Sequence, residues 1–184
     1  MAGLWGGGAI VAAGVSRVMV GLGSNLGDRV ANLMSAVERL DALMHTDVAV
    51  VSTFLSTDPV DVVDQPEFVN AVVDLRTMLE PGDLLLHLLD IEQSMGRQRD
   101  GVVPRGPREI DLDLLLWEDR CINSPGLTLP HPRMHERTFV LVSLVEIDPS
   151  LVHPVLGCTM GALLEEDIVK NGPIDQRCRL LADA

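Results

Sequence analysis

The sequence has no tyrosine, a single lysine (Lys170), three cysteines and only five phenylalanines and tryptophans together. With so few rings, aromatic platforms are scarce. Cys121, Cys158 and Cys178 lie far apart, are odd in number and form no C-x-x-C pair, so they read as reduced thiols of a cytoplasmic protein. The five histidines include no H-E-x-x-H, and a zinc site is not expected. The longest uncharged run, residues 1–16, contains five glycines and makes a poor membrane span. Positive charge is short overall, with 14 basic against 27 acidic side chains and a net charge of −13. That balance argues against a nucleic-acid coat or a membrane-surface binder, both of which need basic surface.

What is present fits one globular domain. The chain has 184 residues, 47% of them apolar and 22% charged. Residues 1–17 read as a flexible N-terminal extension, 18–170 as the single folded domain and 171–184 as a C-terminal tail. The cations are unevenly spread. Residues 97–137 hold seven basic and seven acidic side chains, so that stretch is neutral and the rest of the chain carries the −13.

Val18 to Leu22 reads as a short buried strand, followed by a loop from Gly23 with Asp28 placed to cap a helix. Val30, Leu33, Met34, Val37, Leu40 and Met44 recur at helical spacing and predict a helix over 29–44. Strands are expected over 48–54 and 68–78, with a Pro- and acid-rich loop at 57–67 between them. A helix opens at Pro81 and ends by Gly96, a Gly/Pro/Arg loop spans 97–108, and Ile110 to Trp117 is a strand. Residues 138–147 are a buried element of either type, and a last helix covers about 160–170. The order strand, helix, strand, strand, helix, strand favours an α+β sandwich, its helices packed on an antiparallel-rich sheet.

The strongest chemical feature is Gly106-Pro-Arg-Glu-Ile-Asp-Leu-Asp113 and the strand it enters. Alternation puts Ile110, Leu112, Leu114 and Leu116 on one apolar face and Asp111 with Asp113 on the other, roughly 7 Å apart. Two carboxylates that close repel unless a cation lies between them. Oxygen donors with open positions suit Mg²⁺ shared with phosphate. A D-x-D alone is more often a solvated strand face than a metal site. Arg97, Arg99, Arg105 and Arg108 precede it, and Arg forks match phosphate oxygens. The set suits phosphoryl transfer better than it suits a row of surface ion pairs. His131, Arg133, His135 and Arg137 crowd a second, Pro-bounded loop. Asn70 sits in an apolar strand, where its amide serves either the fold or the edge of a flat heterocycle, and Phe68 and Phe139 are either core or walls for such a ring. Gly21-Leu-Gly-Ser-Asn-Leu-Gly27 is neither a Walker loop nor a supported Rossmann fingerprint, and reads as a tight strand-to-helix turn.

Five segments in order now carry a resemblance. They are Gly21–Asp28, Asp64-Gln-Pro-Glu-Phe-Val-Asn-Ala71, Ile91-Glu92 with Gly96-Arg-Gln-Arg99, Gly106–Asp113, and Pro130-His131 with Arg137-Thr-Phe139. Together, over about residues 18–150, the chain resembles the 6-hydroxymethyl-7,8-dihydropterin pyrophosphokinase family. The resemblance implies a ferredoxin-like α+β fold and transfer of pyrophosphate from ATP, with two Mg²⁺ ions, to the pterin hydroxymethyl group, releasing AMP in folate biosynthesis. It implies Asp111 and Asp113 as metal ligands, and Arg97, Arg99 and Arg108 as catalytic handlers of phosphate charge. Glu92, Arg99, Arg108, His131 and Arg137 are the implied ATP contacts. Thr57, Pro59, Val60, Phe68, Asn70 and Phe139 are the implied pterin contacts. The partners are then two small molecules, with neither nucleic acid nor membrane, and the enzyme is expected to be a cytoplasmic monomer. Arg105, Glu109, Pro132 and Leu89 depart from residues common in the family. A D-x-D nucleotide-sugar transferase and a non-catalytic ferredoxin-like binding module are the competing readings.

Overall fold

The structure is a computed structural model that describes residues 3–4, 14–59, 65–97 and 106–181. Its central strand is β2 (Ser16–Ser24); the two-residue β1 (Gly3–Leu4) precedes it. Helix α1 (Arg29–Asp41) starts where expected, with the Asp28 carboxylate accepting from the Ala31 N–H. It stops three residues early, before Met44, which is exposed and gives the helix nothing to bury. The strand expected over 48–54 is β3 (Thr46–Val51), which ends three residues early, and a further strand, β4 (Leu55–Thr57), follows it. Between them the Ser52 hydroxyl takes the Val72 N–H, so a side chain stands in for the backbone ladder there.

β5 (Phe68–Thr77), α2 (Pro81–Ser94) and β6 (Asp111–Trp117) follow. β7 (Ile122–Ser124) and β8 (Leu127–Leu129) form a small hairpin. The element at 138–147 is a helix, α3 (Thr138–Ile147), and α4 (Met160–Asn171) is capped by Thr159. The main sheet runs β1-β3-β5-β2-β6, with every pair antiparallel. Within it, β2-α1-β3-β5-α2-β6 makes the ferredoxin-like unit, an α+β fold with helices on both faces.

Pleating gives the sheet two different faces. Val18, Val20 and Leu22 of β2, Val69, Ala71 and Val73 of β5, Leu112 and Leu114 of β6, and Ile110 just before it pack beneath α1 and α2. The opposite face carries Met19, Val72, Leu115 and Leu116 against α3 and α4. Leu116 was expected with Ile110, Leu112 and Leu114. Instead Leu114 faces Val20 and Leu116 faces Met19, so Leu115 is an extra residue in the ladder. This bulge reverses the alternation, turning Leu116 to the second face and burying Trp117 in the first.

Both ends of the chain hold surprises. In the segment expected as an extension, Gly3 and Leu4 pair with β3, and Arg17 lies in β2 with ion pairs to Asp74 and Asp148. In the segment expected as a tail, β9 (Cys178–Leu180) pairs with β4 and joins the main sheet. An unpaired edge at β4 leaves backbone donors and acceptors open, and β9 supplies their partners.

Candidate active site

The second face of the sheet has two parts. Around Met19, Val72, Leu115 and Leu116 it is covered by α3 and α4; beyond them it opens into a cleft of about 500 Å³. Gly21 and Gly23 of β2 form its floor. Gly21 was expected in the strand and Gly23 in the loop after it, yet both lie inside the strand, flanked by β5 and β6. Gly21 pairs with Asp113 and Val72, and Gly23 with Asp111 and Asn70. A Cβ on Gly23 would stand 2.8 Å from Asn70 Oδ1, closer than carbon and oxygen tolerate. The glycines therefore separate two chemically different walls and leave the space between them open.

One wall is charged. Asp111 and Asp113 share this face of β6, as alternation predicts, with side chains 18% and 31% exposed. Arg97 bridges Asp111 to Glu92. Arg108 Nη2 lies 2.8 Å from the second Asp111 oxygen, and Arg137 Nη1 lies 3.0 Å from Asp113. Three guanidinium groups thus meet three carboxylates, and the cluster is electrically balanced. Glu92 is buried and also accepts the Leu112 N–H at 2.7 Å, pinning the start of β6 to α2. The Arg108 guanidinium sits 5.1 Å above the Phe68 ring. Its Nε is buried with no hydrogen-bond partner among the described residues, so the fork has donor capacity left for an anion.

The other wall is an amide between rings. Asn70 is 4% exposed and donates through Nδ2 to Thr57 Oγ1 at 2.8 Å. Phe68 and Phe139 both line the cleft, with Pro59 at its edge. Cys178 closes the far side; burial pushes its thiol up to about 11, so it is a neutral wall and not a nucleophile.

The expected residues do not all reach this cleft. Thr57, Pro59, Phe68, Asn70, Arg108, Asp111, Asp113, Arg137 and Phe139 line it. Glu92 and Arg97 lie behind Asp111 and are linked to the cleft through it. His131 borders a separate depression of about 380 Å³ with His135 and His153. Burial, chiefly, lowers the His131 pKa, so the ring is neutral; its Nδ1 accepts the Arg133 N–H at 3.2 Å. Arg99, Arg105 and Val60 lie outside the described residues.

Two features of the site were missed. Asn25, 1% exposed, exchanges bonds with the Arg108 backbone in both directions and donates to Gln65 and the Pro66 carbonyl. It clasps the arginine loop to the residues leading into Phe68. A polar Asn inside Gly-Ser-Asn was the available signal. Gln176, Arg177 and Cys178 also line the cleft, from a segment that had offered no motif.

Comparisons with known proteins give the family. The sequence profile described as 7,8-dihydro-6-hydroxymethylpterin-pyrophosphokinase (HPPK) matches residues 19–149. The chain is 46% identical over 132 residues to the 2-amino-4-hydroxy-6-hydroxymethyldihydropteridine pyrophosphokinase of Bacillus subtilis, covering 70% of this chain and 75% of that one. It is 36% identical over 156 residues to the protein of that name from Aquifex aeolicus, covering 85% and 95%. It is 40% identical to the folic acid synthesis protein fol1 of Pneumocystis carinii but spans only 20% of that longer protein. Among solved structures, wild-type Plasmodium falciparum HPPK-DHPS with SDX-DHP shares the fold at a TM-score of 0.65 and 14% identity, over 90% of this chain and 47% of that one. The chain belongs to the 7,8-dihydro-6-hydroxymethylpterin-pyrophosphokinase family.

Proposed function

We propose that the chain transfers a pyrophosphoryl group from ATP to the hydroxymethyl oxygen of 6-hydroxymethyl-7,8-dihydropterin, releasing AMP, as a step of folate biosynthesis. The observation that carries this reading is the two-walled cleft. A carboxylate-arginine cluster on β6 and a buried amide between aromatic rings on β5 face each other across two glycines. A phosphorylated nucleotide suits the first wall, and a flat heterocycle with donor and acceptor edges suits the second.

In this reading Asn70 reads the pterin edge, and its bond to Thr57 fixes the amide so that Oδ1 faces Gly23. Phe68 and Phe139 confine the ring. The hydroxymethyl group then points toward Asp111 and Asp113. Its oxygen forms a bond to the β-phosphorus while the bond from that phosphorus to the α,β-bridging oxygen breaks. AMP leaves with that oxygen, and the hydroxyl proton passes to water. Such transfers rest on alignment and charge neutralisation. Arg97, Arg108 and Arg137 already stand at the carboxylates, and their forks can turn to triphosphate oxygens. Arg99 and Val60 keep their implied roles at the phosphates and the pterin, and Glu92 and His131 theirs at the nucleotide.

The donor set suits Mg²⁺. Asp111 and Asp113 are hard oxygen donors on the charged wall of the cleft, and among the described residues no group of three or more His, Cys, Asp or Glu side chains could hold a metal. Two carboxylates alone leave positions for phosphate and water, as Mg²⁺ prefers. Two bound Mg²⁺ ions would supply charge neutralisation and polarisation of the phosphate oxygens. The same reading makes the enzyme a cytoplasmic monomer; the free thiols fit a reducing compartment, and no described helix is long and apolar enough to cross a membrane.

Purified protein incubated with Mg·ATP and hydroxymethyl-dihydropterin, with nucleotide products resolved, tests the proposal. AMP that appears only when the pterin is present is the expected result. ADP as product, or no turnover, would overturn it.

A further inference from the structure

Residues 172–181 were expected as a tail, yet they touch both sides of the amide wall. We propose that this segment is a strap that holds the pterin end of the cleft in shape, with Arg177 and Arg179 as its positioning residues. The inference rests on the pterin reading above and goes beyond it.

On one side the strap grips β4 and its neighbours. β9 pairs with β4 in register, Cys178 opposite Thr57, Arg179 opposite Ser56 and Leu180 opposite Leu55. β4 has only three residues, so β9 supplies half of its strand partners. The Leu181 N–H continues the contact to the Phe54 carbonyl at 3.2 Å. Arg179 Nη2 lies 3.0 Å from Asp58 and 2.8 Å from Glu67. Asp58 stands between Thr57 and Pro59, and Glu67 immediately precedes Phe68. One guanidinium therefore joins the two backbone stretches that present Thr57, Pro59 and Phe68. The Ser56 hydroxyl donates to the other Glu67 oxygen at 2.8 Å and completes the clamp.

On the other side the strap grips the start of α3. Arg177 donates to Thr138 Oγ1, to Asp167 at 2.8 Å and to the Gly172 carbonyl at 2.6 Å. Thr138 in turn donates to Asp167 at 3.0 Å. Thr138 lies between Arg137, which faces Asp113, and Phe139, which lines the cleft. The N-cap of α3 makes no side-chain capping bond, so this network is its side-chain anchor. Arg177 and Asp167 are both largely buried, at 23% and 6% exposed.

The energetics favour a positional role for Arg179. It is 42% exposed, and ion pairs of that kind add little to stability. What it can do is hold two pieces of backbone at one spacing, where small displacements of binding groups are costly.

The test is steady-state kinetics with each substrate varied, beside thermal melting with and without the pterin. Pterin-dependent AMP formation by the unaltered protein is measured first; its absence is a failure of the functional reading and not of the strap. Given that activity, Arg179→Ala is expected to raise the pterin KM about tenfold and to shrink the pterin-induced rise in melting temperature. The ATP KM should stay within about twofold, and the melting temperature without ligand within about 1 °C. Arg179→Lys should recover most of the loss, since an ammonium reaches the same carboxylates as a point charge. Arg177→Ala should raise the pterin KM and also lower the melting temperature. Arg179→Ala is decisive should Arg177→Ala not fold. An unchanged pterin KM in Arg179→Ala, or an equal rise in both KM values, would overturn the strap.

Discussion

The two faces of the sheet are built from the same three strands and are used differently. Under α1 and α2, Val18, Val20 and Leu22 of β2, Val69, Ala71, Val73 and Leu75 of β5, and Leu112 and Leu114 of β6 are apolar and buried. On the reverse, the same strands show Gly21 and Gly23, Phe68 and Asn70, and Asp111 and Asp113. Pleating makes this separation possible, because outside the bulge at Leu115 neighbouring residues point to opposite faces. One face supplies hydrophobic stability and the other holds polar groups in fixed positions. The functional face gives up burial, and its groups draw their rigidity from the strands beneath them.

The sharpest way to break this comparison is to change neighbouring residues on β6. Asp111→Ala or Asp113→Ala is expected to lower turnover by about 10³-fold or more while the protein still melts cooperatively. Leu112→Ala, one residue away on the other face, should do the reverse. Loss of a buried Leu side chain costs about 2–5 kcal/mol, so the melting temperature should fall by roughly 5–15 °C. Near-normal rates in both Asp variants would remove those carboxylates from the reaction.

A smaller effect is expected at the amide wall. Asn70→Ala removes the only buried amide of the cleft lining among the described residues and should raise the pterin KM about 10²-fold, with little change in the ATP KM. Gly23→Ala should act in the same direction by pressing on Asn70 Oδ1, by about tenfold. If either variant raised both KM values equally, the division of the cleft into two walls would be wrong.

The smallest effect concerns acid. Burial opposes ionisation of Asp167, but hydrogen bonds from Asn171, Arg177 and Thr138 outweigh it and hold the carboxyl below its ordinary range. Asp148 is lowered likewise, by hydrogen bonds from Ser150 and Arg17. Carboxyls with depressed folded pKa values stabilise fully above the unfolded value of about 3.9 and lose that contribution as pH falls through the folded value. Melting temperature should therefore drop from about pH 5 downward. Asp167→Asn should be less stable at neutral pH and lose less of its stability in acid. An acid slope identical to that of the unaltered protein would show that Asp167 does not contribute to it.

Much of this molecule could be read locally. The periodicity of Val30 to Leu40 marked α1, and Asp28 marked its start. The alternation through Ile110 to Leu114 placed Asp111 and Asp113 together, where the structure has them. The bulge at Leu115 could not be read, because it is defined by the partner strand: only the pairing with β2 shows that Leu115 is extra. Gly23 was misread for a related reason. Next to Ser24 and Asn25 it looks like turn chemistry, and its need for an absent Cβ comes from Asn70, 47 positions away.

The chain ends show the same limit. Nothing near Arg177 or Arg179 announces a site, since the partners that tie them to the cleft, Thr138, Asp58 and Glu67, lie 39 to 121 positions off. By itself the sequence determined helices, strands, caps and the pairing of two carboxylates, all of which follow from repeats of two or 3.6 residues. Only the tertiary structure decided which strands are neighbours. That choice put two glycines between Asn70 and the carboxylates and brought the last strand beside β4. It depends on burying one apolar face of each strand together, a condition that no short stretch of the chain can express.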